Sequence, residues 1–278
     1  MKEIYDKVAV KCSKITTKSY STSFSLGISF LNKRLHNPIY SIYGFVRFAD
    51  EIVDTFHDFD KKYLLDKFRS DTYESLELGI SLNPILHSFQ TVVHKYGIEN
   101  ELIDTFLDSM EMDLQDQEYS EELYEKYILG SAEVVGLMCL RVFCEGDREL
   151  FTALKPSAMK LGAAFQKVNF LRDVKADKEH LGRTYFPNVD LSNFTKEDKL
   201  KIESEIRKDF KSALEGIKKL PKSSRKGVYL AYYYYLVILR KITNVRPERI
   251  MNERIRINNA HKIFIMMKSI ARHKLNRL

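Results

Sequence analysis

Four side chains that can offer oxygen or amide ligands recur at helical spacing within residues 161–187; they are Gln166, Asn169, Asp173 and Asp177. Steps of three, four and four residues place them on one face of a helix. The rest of that helix is mostly apolar, where unpaired carboxylates are costly to bury. Such ligands suit Mg²⁺, which leaves its other positions to water and substrate phosphate. The alternative is a partly exposed helix with a polar edge, since Lys167 and Lys175 interrupt the apolar surface.

A second acidic pair lies in the stretch YGFVRFADEIVD, where Asp50 and Asp54 are one helical turn apart and Arg47 is one turn before them. Alone, this pattern is typical of the solvated face of an amphipathic helix. Facing helices with inward carboxylates are, however, a recurrent way to build a metal site in a bundle. Two acidic faces repel each other unless cations lie between them. Magnesium ions bridging a diphosphate would satisfy both faces, with arginines on the remaining phosphate oxygens.

The elements that must position these residues are helical nearly throughout. Periodicity predicts ten helices, at about 3–18, 37–57, 60–79, 83–96, 98–117, 119–145, 148–179, 195–219, 222–244 and 248–275. The stretch 19–32 is weak in helix formers and reads as an ordinary loop, and 183–194 reads as a loop that could cover a site. No linker or repeat divides the 278 residues, so we predict one all-α domain, 1–278.

Composition limits the setting. The net charge of +7 favours anionic partners, namely nucleic acid, phosphorylated substrates or an anionic membrane surface. No nucleic-acid motif accompanies the charge, so we expect no nucleic-acid partner. Three cysteines, an odd number, argue for a reducing compartment. With no signal peptide and no apolar run long enough to span a bilayer, the sequence predicts a cytoplasmic protein.

Three blocks of sequence carry a family resemblance. Ser21–Phe24 resembles the pattern S-x-S-F, and Arg47 with 50–54 resembles R-x-x-D-D-I-V-D. Residues 166–187 are similar to Q-x-x-N-x-x-R-D-V-x-x-D followed by G-R-x-Y-x-P. On these motifs the chain is identified as a member of the squalene/phytoene synthase family of head-to-head prenyl transferases. Weaker matches extend to Tyr127, Tyr235 and Arg254.

The resemblance implies a single helical domain of the isoprenoid synthase type, with a central active-site cavity that binds two isoprenyl diphosphates and two or three Mg²⁺ ions. The implied metal ligands are Asp50, Asp54, Asn169, Asp173 and Asp177. The implied diphosphate-binding residues are Ser21, Arg47, Gln166, Arg172, Arg183, Tyr185 and Arg254. The implied catalytic residues are Asp50, Asp54, Asp173 and Asp177, with Tyr127 and Tyr235 near the carbocations.

The chain departs from the family pattern at three positions. Glu51 replaces the usual second aspartate, Thr22 stands where many members carry a basic residue, and Glu133 stands where small residues are common. None of these changes removes one of the implied metal ligands. Glu51 has a longer side chain than aspartate, which leaves its contact with a metal open.

The implied reaction joins two C20 diphosphates into phytoene, for carotenoid biosynthesis, with a C30 squalene or dehydrosqualene synthase as the alternative. A terpene cyclase, a chain-elongating synthase and a non-catalytic assembly factor are weaker readings. No G-x-G-x-x-G follows a strand, so we expect no NADPH requirement. The basic, apolar stretch 249–278 could lie on the inner face of an anionic membrane or form the last core helix. The sequence makes no prediction of oligomeric state.

Overall fold

The computed structural model describes residues 1–115, 119–181, 185–190, 193–252, Ile255 and Lys268, with backbone only at 176–181. Within these residues the chain forms α-helices and one π-helical turn, and no strand. The helices are α1 Lys2–Tyr20, α2 Thr22–Ser29, α3 Lys33–Asp54, α4 Lys61–Leu78, α5 Pro84–Tyr96, α6 Asn100–Met112, α7 Glu121–Ile128, α8 Val134–Cys144, α9 Arg148–Leu181, α10 Lys196–Lys219, α11 Lys222–Thr243 and α12 Pro247–Asn252. The prediction of an all-α fold is confirmed.

Local sequence explains where most helices begin and end. A polar side chain at the N-cap accepts a hydrogen bond from the first helical turn at Asn32, Asp60, Asn83, Ser120 and Thr195. Gly79 and Gly97 follow α4 and α5 in the left-handed conformation that ends helices. The predicted boundaries agree with the observed ones to within a few residues over most of the chain. The predicted helix 248–275 lies largely outside the described residues.

One prediction is wrong: the stretch 19–32 is not a loop, because it contains the short helix α2. Ser21 caps this helix by accepting a hydrogen bond from the Phe24 backbone N–H at 3.2 Å. Tertiary packing supplies what helix propensity does not. A Cβ on Gly227 would lie 2.7 Å from the Gly27 carbonyl oxygen, so α2 and α11 can cross this closely only because Gly227 has no side chain.

The predicted helix 119–145 is interrupted by a π-helical turn, Leu129–Glu133, between α7 and α8. This turn packs against α6 and α9 at glycines. A Cβ on Gly130 would meet the Thr105 carbonyl oxygen at 2.5 Å, and one on Gly162 would meet the Ala132 carbonyl oxygen at 2.5 Å. The segment Glu121–Cys144 is long and apolar enough to cross a membrane, but 67% of its most apolar window is buried in the fold. It is therefore a core helix.

Two apolar clusters form the interior. The first joins α2–α6 with α8 and contains the stacked rings of Phe45 and Phe89, 3.9 Å apart. The second joins α7 and α9–α11 and contains Phe170 stacked on Tyr185 at 4.0 Å. The side chains of α8 divide between the two clusters, with Met138 in the first and Leu137 in the second. The principal cavities lie where helices of the two clusters meet.

Candidate active site

Two adjoining cavities occupy the centre of the molecule. One has a volume of about 280 Å³ and is lined mainly by apolar and small residues of α2, α3, α8, α9, α10 and α11. The other has a volume of about 430 Å³ and is lined by polar and charged residues of α1, α2, α3, α9 and α11. Five residues line both cavities, namely Phe24, Tyr43, Val46, Asp50 and Asn169. The polar and apolar spaces therefore meet at a shared wall.

Arg47 is one of two arginines in the polar cavity. Its Nη2 donates to Glu51 Oε2 at 2.5 Å, and its guanidinium lies over the Tyr20 ring at 4.2 Å. Its Nε is buried and has no acceptor among the described residues. Burial opposes the charge, but Asp50 and Glu51 outweigh it and raise the pKa of Arg47. The arginine thus remains charged, with one buried N–H still to be satisfied.

Glu51 has a clear role despite its departure from the family pattern. Burial would raise the pKa of its carboxyl, but the hydrogen bond and charge of Arg47, together with hydrogen bonds from Thr55 and Tyr20, outweigh burial and lower the pKa. The i,i+4 spacing places the two side chains on one helix face. Glu51 therefore orients Arg47 in the polar cavity.

The ionised carboxylate of Asp50 is poorly stabilised by its surroundings. Burial is the main cause that raises its pKa to about 7, and Asp54 adds repulsion, which Arg47 partly offsets. Asp113 adds further repulsion. The side chain of Asp50 is 31% exposed, and this exposed part faces the two cavities. A divalent cation bound here would relieve both the burial of the charge and the repulsion.

The acidic face of α9 is organised differently. Asp173 accepts two hydrogen bonds from Arg172, at 3.0 Å from Nε and 2.6 Å from Nη2. Burial opposes the charge of Arg172, but this pairing raises its pKa. Asn169 Oδ1 accepts a hydrogen bond from the Tyr235 hydroxyl at 3.2 Å. The α9 carboxylate is thus already paired with an arginine, whereas Asp50 on α3 is not fully neutralised.

The described residues fit a metal held jointly with a phosphate ligand. Among them, no three His, Cys, Asp or Glu side chains converge as they would in a site built from protein alone. Mg²⁺ commonly keeps one or two carboxylates and takes its other ligands from water and substrate phosphates. The side chain of Asp177 and the residues Arg183 and Arg254, predicted in this site, lie outside the described residues.

The predicted tyrosines occupy different places. Tyr235 lines the polar cavity, as do Ser21 and Arg172. Tyr127 lines neither cavity and instead donates a hydrogen bond to Asp113 Oδ2 at 2.8 Å. Tyr185 stacks on Tyr127 with ring centroids 5.1 Å apart. These two tyrosines form a buried aromatic wall behind the acidic groups of α3.

Sequence reasoning did not identify Asp113, which follows the last residue of α6. Its carboxyl is buried, bonded to Tyr127, and close enough to Asp50 to raise the pKa of Asp50. The negative charge of Asp113 therefore adds to the repulsion felt by the carboxylate of Asp50. In the sequence Asp113 is one acidic residue in the mixed stretch MEMDLQD, and no local pattern distinguishes it from its neighbours.

Gln166 lines the apolar cavity rather than the polar one. Glu133, on the π-helical turn, lines neither cavity. It is buried near Lys160, Lys167 and Asp209, and burial raises its pKa while the lysines oppose the increase. Lys167 in turn donates to Asp209 at 2.9 Å. Glu133 therefore belongs to a charged cluster between the π-helical turn, α9 and α10.

Comparison with known proteins accounts for this arrangement. The sequence model described as "Squalene/phytoene synthase" matches residues 17–260, which include all of the residues that line the polar cavity. The chain belongs to the squalene/phytoene synthase family. The family comprises prenyltransferases that act on isoprenyl diphosphates and generally depend on metal.

Relatives of this chain within the squalene/phytoene synthase family include plant and bacterial proteins. It is 27% identical to phytoene synthase 1 of Zea mays over 87% of its length, and spans 62% of that relative. It is 28% identical to phytoene synthase of Arthrospira platensis, covering 83% of this chain and 82% of the relative. The chain thus spans less than two thirds of the maize protein and most of the Arthrospira protein.

Solved structures of family members share the fold. A dehydrosqualene synthase superposes with a TM-score of 0.81 at 21% identity, covering 98% of each chain. A squalene synthase from Alicyclobacillus acidocaldarius superposes with a TM-score of 0.75 at 20% identity, covering 86% of this chain and 94% of the other. At these identities the likeness establishes the fold, and the choice of substrate needs separate arguments.

Proposed function

We propose that this chain is a Mg²⁺-dependent head-to-head prenyltransferase that condenses two geranylgeranyl diphosphates to phytoene. The observation that carries the proposal is the shared wall of the two cavities, where Asp50 and Asn169 face both a charged space and an apolar one. An isoprenyl diphosphate has the same division, with an anionic head and a long hydrocarbon tail. The head would occupy the polar cavity and the tail the apolar cavity.

The residues that would hold Mg²⁺ are Asp50 and Asp54 on α3 and Asn169, Asp173 and Asp177 on α9. When bound, the ions would neutralise charge that develops on the leaving diphosphate. The Arg47 Nε, which has no acceptor among the described residues, and the guanidinium of Arg172 face the same space, and Arg47 is held there by Glu51. These arginines would bind phosphate oxygens, and the stabilisation is greatest as the leaving group gains charge.

Aromatic side chains near the shared wall would protect the carbocations formed when diphosphate leaves. Phe165 stacks on Tyr235 at 4.1 Å, and Phe24 lies 4.6 Å from Tyr43 between ring centroids. The negative faces of such rings attract cations without acting as nucleophiles. The apolar cavity also keeps water away from the cation, which would otherwise be quenched to an alcohol.

The reaction balances without a reductant. One diphosphate leaves, its allyl cation is captured by the double bond of the second substrate, and a proton is lost to give a cyclopropyl diphosphate. The second diphosphate then leaves, the carbon skeleton rearranges to a 1-1′ linkage, and a second proton is lost to form the central double bond. Because no hydride is consumed, we expect turnover without NADPH.

A C30 product is the second candidate. Farnesyl diphosphate is the alternative substrate, since it presents the same anionic head with a shorter hydrocarbon tail. The head chemistry is the same for both chain lengths, so the difference would depend on the apolar cavity. The curated relatives named above are phytoene synthases and favour the C20 substrate.

The test is a product assay with the purified full chain. Geranylgeranyl and farnesyl diphosphates are supplied separately with Mg²⁺, with and without NADPH, and the extracted hydrocarbons are identified by mass spectrometry. We expect phytoene from the C20 substrate, its loss with EDTA, and no effect of NADPH. Exclusive use of the C15 substrate would establish the alternative, and no coupled hydrocarbon from either would refute a prenyltransferase.

A further inference from the structure

The outward face of α1 combines exposed apolar side chains in a way that its packing does not explain. Ala9, Ser13 and Thr17 are buried along the inner face, against α3 and α5. On the opposite face, Ile4 is 66%, Val8 45% and Ile15 65% exposed. At about 100° per residue, the three exposed side chains fall within an arc of roughly 40°. They form a continuous apolar stripe along α1.

Lysines flank this stripe on one side. Lys7, Lys11, Lys14 and Lys18 are all exposed, and the same helical geometry places them within an arc of roughly 60° beside the stripe. Lys7, Lys11 and Lys18 form no ion pair with any residue that the structure describes. Lys14 lies 5.8 Å from the Tyr40 ring centroid. The flank therefore carries positive charge that the described part of the fold leaves uncompensated.

The acidic residues of α1 do not neutralise the flank. Asp6 is paired with Lys2 at 3.0 Å and with the buried ring of His87 at 2.8 Å, on the side of α1 that faces α5. Glu3, the other acidic residue of the helix, lies at the edge of the flank one turn before Lys7 and forms no ion pair with a residue that the structure describes. Five lysines against two acidic residues leave α1 strongly basic.

A loop extends the apolar surface on the other side of the stripe. The Tyr5 hydroxyl donates a hydrogen bond to the Ser81 carbonyl oxygen, which holds the loop 79–83 beside α1. Within that loop Ile80 is 44% exposed and Leu82 93% exposed. The outward face of α1 and this loop, which we call the α1 surface, thus present apolar side chains next to a row of lysines.

The C-terminal end of α1 borders the polar cavity. Thr17, Tyr20 and Ser21 at the end of α1 line that cavity, and Tyr20 covers Arg47. Ile15 precedes Tyr20 by five residues, about 7.5 Å along the helix axis. Thr17 and Tyr20, however, lie about 140–160° around the axis from Ile15, so a body bound to the α1 surface would lie across α1 from the polar cavity.

We propose that the α1 surface docks onto an anionic lipid membrane. An apolar stripe beside lysines is the arrangement by which an amphipathic helix lies in a membrane interface, with apolar side chains among the acyl chains and lysines at anionic headgroups. A second copy of the chain fits less well, because a two-fold contact would bring like-charged rows of lysines together. An exposed apolar stripe would find no counterpart in a nucleic acid. The proposal rests on this surface and not on the identity of the substrate.

The test is flotation of the full chain with vesicles of phosphatidylglycerol mixed with phosphatidylcholine, and with vesicles of phosphatidylcholine alone. We expect the parent to float only with the anionic vesicles, and less so as salt rises. The double substitution Lys7→Glu/Lys11→Glu should reduce the affinity at least tenfold, at about fivefold per lysine for loss of charge alone. Ile4→Ser/Ile15→Ser should reduce it as well, because the apolar contact is lost.

Matched controls separate the α1 surface from the general basicity of the chain. Lys208→Glu/Lys211→Glu changes the net charge equally on the exposed face of α10, and Leu200→Ser removes an exposed apolar side chain there. Both controls should float like the parent. Equal losses in control and α1 variants, full binding by the α1 variants, or no binding by the parent would each overturn the proposal. So would a dimer, seen by sedimentation, that Ile4→Ser/Ile15→Ser dissociates.

The product assay, run in detergent micelles, keeps this test separate from the proposed function. The α1 variants lie outside the residues assigned to catalysis, so they should form product as the parent does. Loss of flotation with retained product formation supports docking. Absence of product from the parent would count against the proposed reaction, while the flotation result would stand by itself.

Discussion

The two cavities at the centre of the molecule are built on opposite physical principles. The polar cavity contains Arg47, whose Nε has no acceptor in the part of the chain that the structure describes, and Asp50 with a raised pKa, so it carries charges of both signs that these residues do not fully satisfy. The apolar cavity instead exists because much of its wall consists of residues with no side chain or only a methyl group. Its wall includes Gly27, Gly136, Gly162, Gly216, Gly227, Ala132, Ala158, Ala213 and Ala231.

This difference predicts different sensitivities to mutation. A change in the polar cavity alters charge in a poorly solvated space, where one electrostatic contact is worth several kcal/mol. A change in the apolar cavity alters volume, and its effect grows with the part of the ligand that no longer fits. The first should affect every substrate equally, whereas the second should discriminate among tail lengths.

The largest effect is expected for Asp50→Asn. The amide keeps the shape but loses the charge, so turnover should fall about 10³-fold, some 4 kcal/mol, for both C15 and C20 substrates. Thermal unfolding without metal should occur at the same temperature or higher, since burial and repulsion of the carboxylate are relieved. The exposed Asp58→Asn is the control and should match the parent. Turnover within a few-fold of the parent would contradict the assigned role.

The raised pKa of Asp50 gives the same variant a pH signature. A carboxyl with a folded-state pKa of about 7 binds a proton more tightly than in the unfolded chain. The metal-free parent should therefore gain stability from this group as pH falls through 7, with the gain complete below its unfolded pKa near 4. Melting curves from pH 8 to pH 5 should show this gain for the parent relative to Asp50→Asn. Parallel curves would contradict the raised pKa.

The substitution Asp173→Asn should distinguish the acidic face of α9 from that of α3 by its effect on stability. Activity should fall as it does for Asp50→Asn, but stability should change in the opposite direction, because two hydrogen bonds from Arg172 are weakened. Loss of a charged hydrogen-bonded partner costs about 1.5–3 kcal/mol. Denaturant unfolding of the metal-free variants measures the difference. Equal stability of the two variants would mean that α3 and α9 do not differ as their contacts indicate.

A smaller and substrate-dependent effect is expected for Ala158→Leu, which fills part of the apolar cavity. The C20 substrate should lose about tenfold or more in kcat/KM, and the C15 substrate markedly less, because a shorter tail needs less depth. Ala153→Leu, at an exposed position on the same helix, is the control. Equal losses for both substrates would indicate overpacking of the fold, which a melting curve would reveal.

The smallest effect is expected for Tyr235→Phe. This change removes the hydrogen bond to Asn169 and keeps the ring stacked on Phe165. A single hydrogen bond contributes about 1 kcal/mol, so kcat should fall about fivefold. Tyr235→Leu also removes the π-face and should cost more. If Phe and Leu variants were equally active, the ring would have no part in stabilising a cation.

Sequence spacing anticipated the parts of the site that lie on one helix. The steps between Asn169 and Asp173, and between Arg47 and Asp50, are local, and a regular helix converts them directly into a shared face. The i,i+4 spacing also indicates that Arg47 pairs with Glu51, whereas the family resemblance points to a contact between Glu51 and a metal. The roles of all the site residues remain predictions, and for Asp177, Arg183 and Arg254 the structure does not describe the side chains.

The missed features depend on contacts between residues far apart in the chain. α2 packs closely on α11 because Gly227 has no side chain at the crossing, which neither local stretch reveals. Asp113 joins the site through Tyr127, fourteen residues away, and through the field at Asp50. The division into a charged and an apolar cavity likewise needs five or six helices to be placed together. Periodicity within one helix carries no information about such crossings.

The π-helical turn affects the direction in which the side chains after it point around the helix axis. In a regular α-helix each residue advances about 100° around the axis, and the wider π turn takes up one residue more than an α turn. Before the turn, Tyr124, Tyr127 and Ile128 face one apolar cluster; after it, Leu137 and Leu140 face that same cluster while Val134, Val135 and Met138 face the other. The π turn therefore accommodates one surplus residue within the 24-residue helical segment Glu121–Cys144. Deletion of Ser131 would convert the π turn into an α turn, so the later side chains of that segment would keep their phase, whereas deletion of a residue within α8 would rotate those that follow by about 100°.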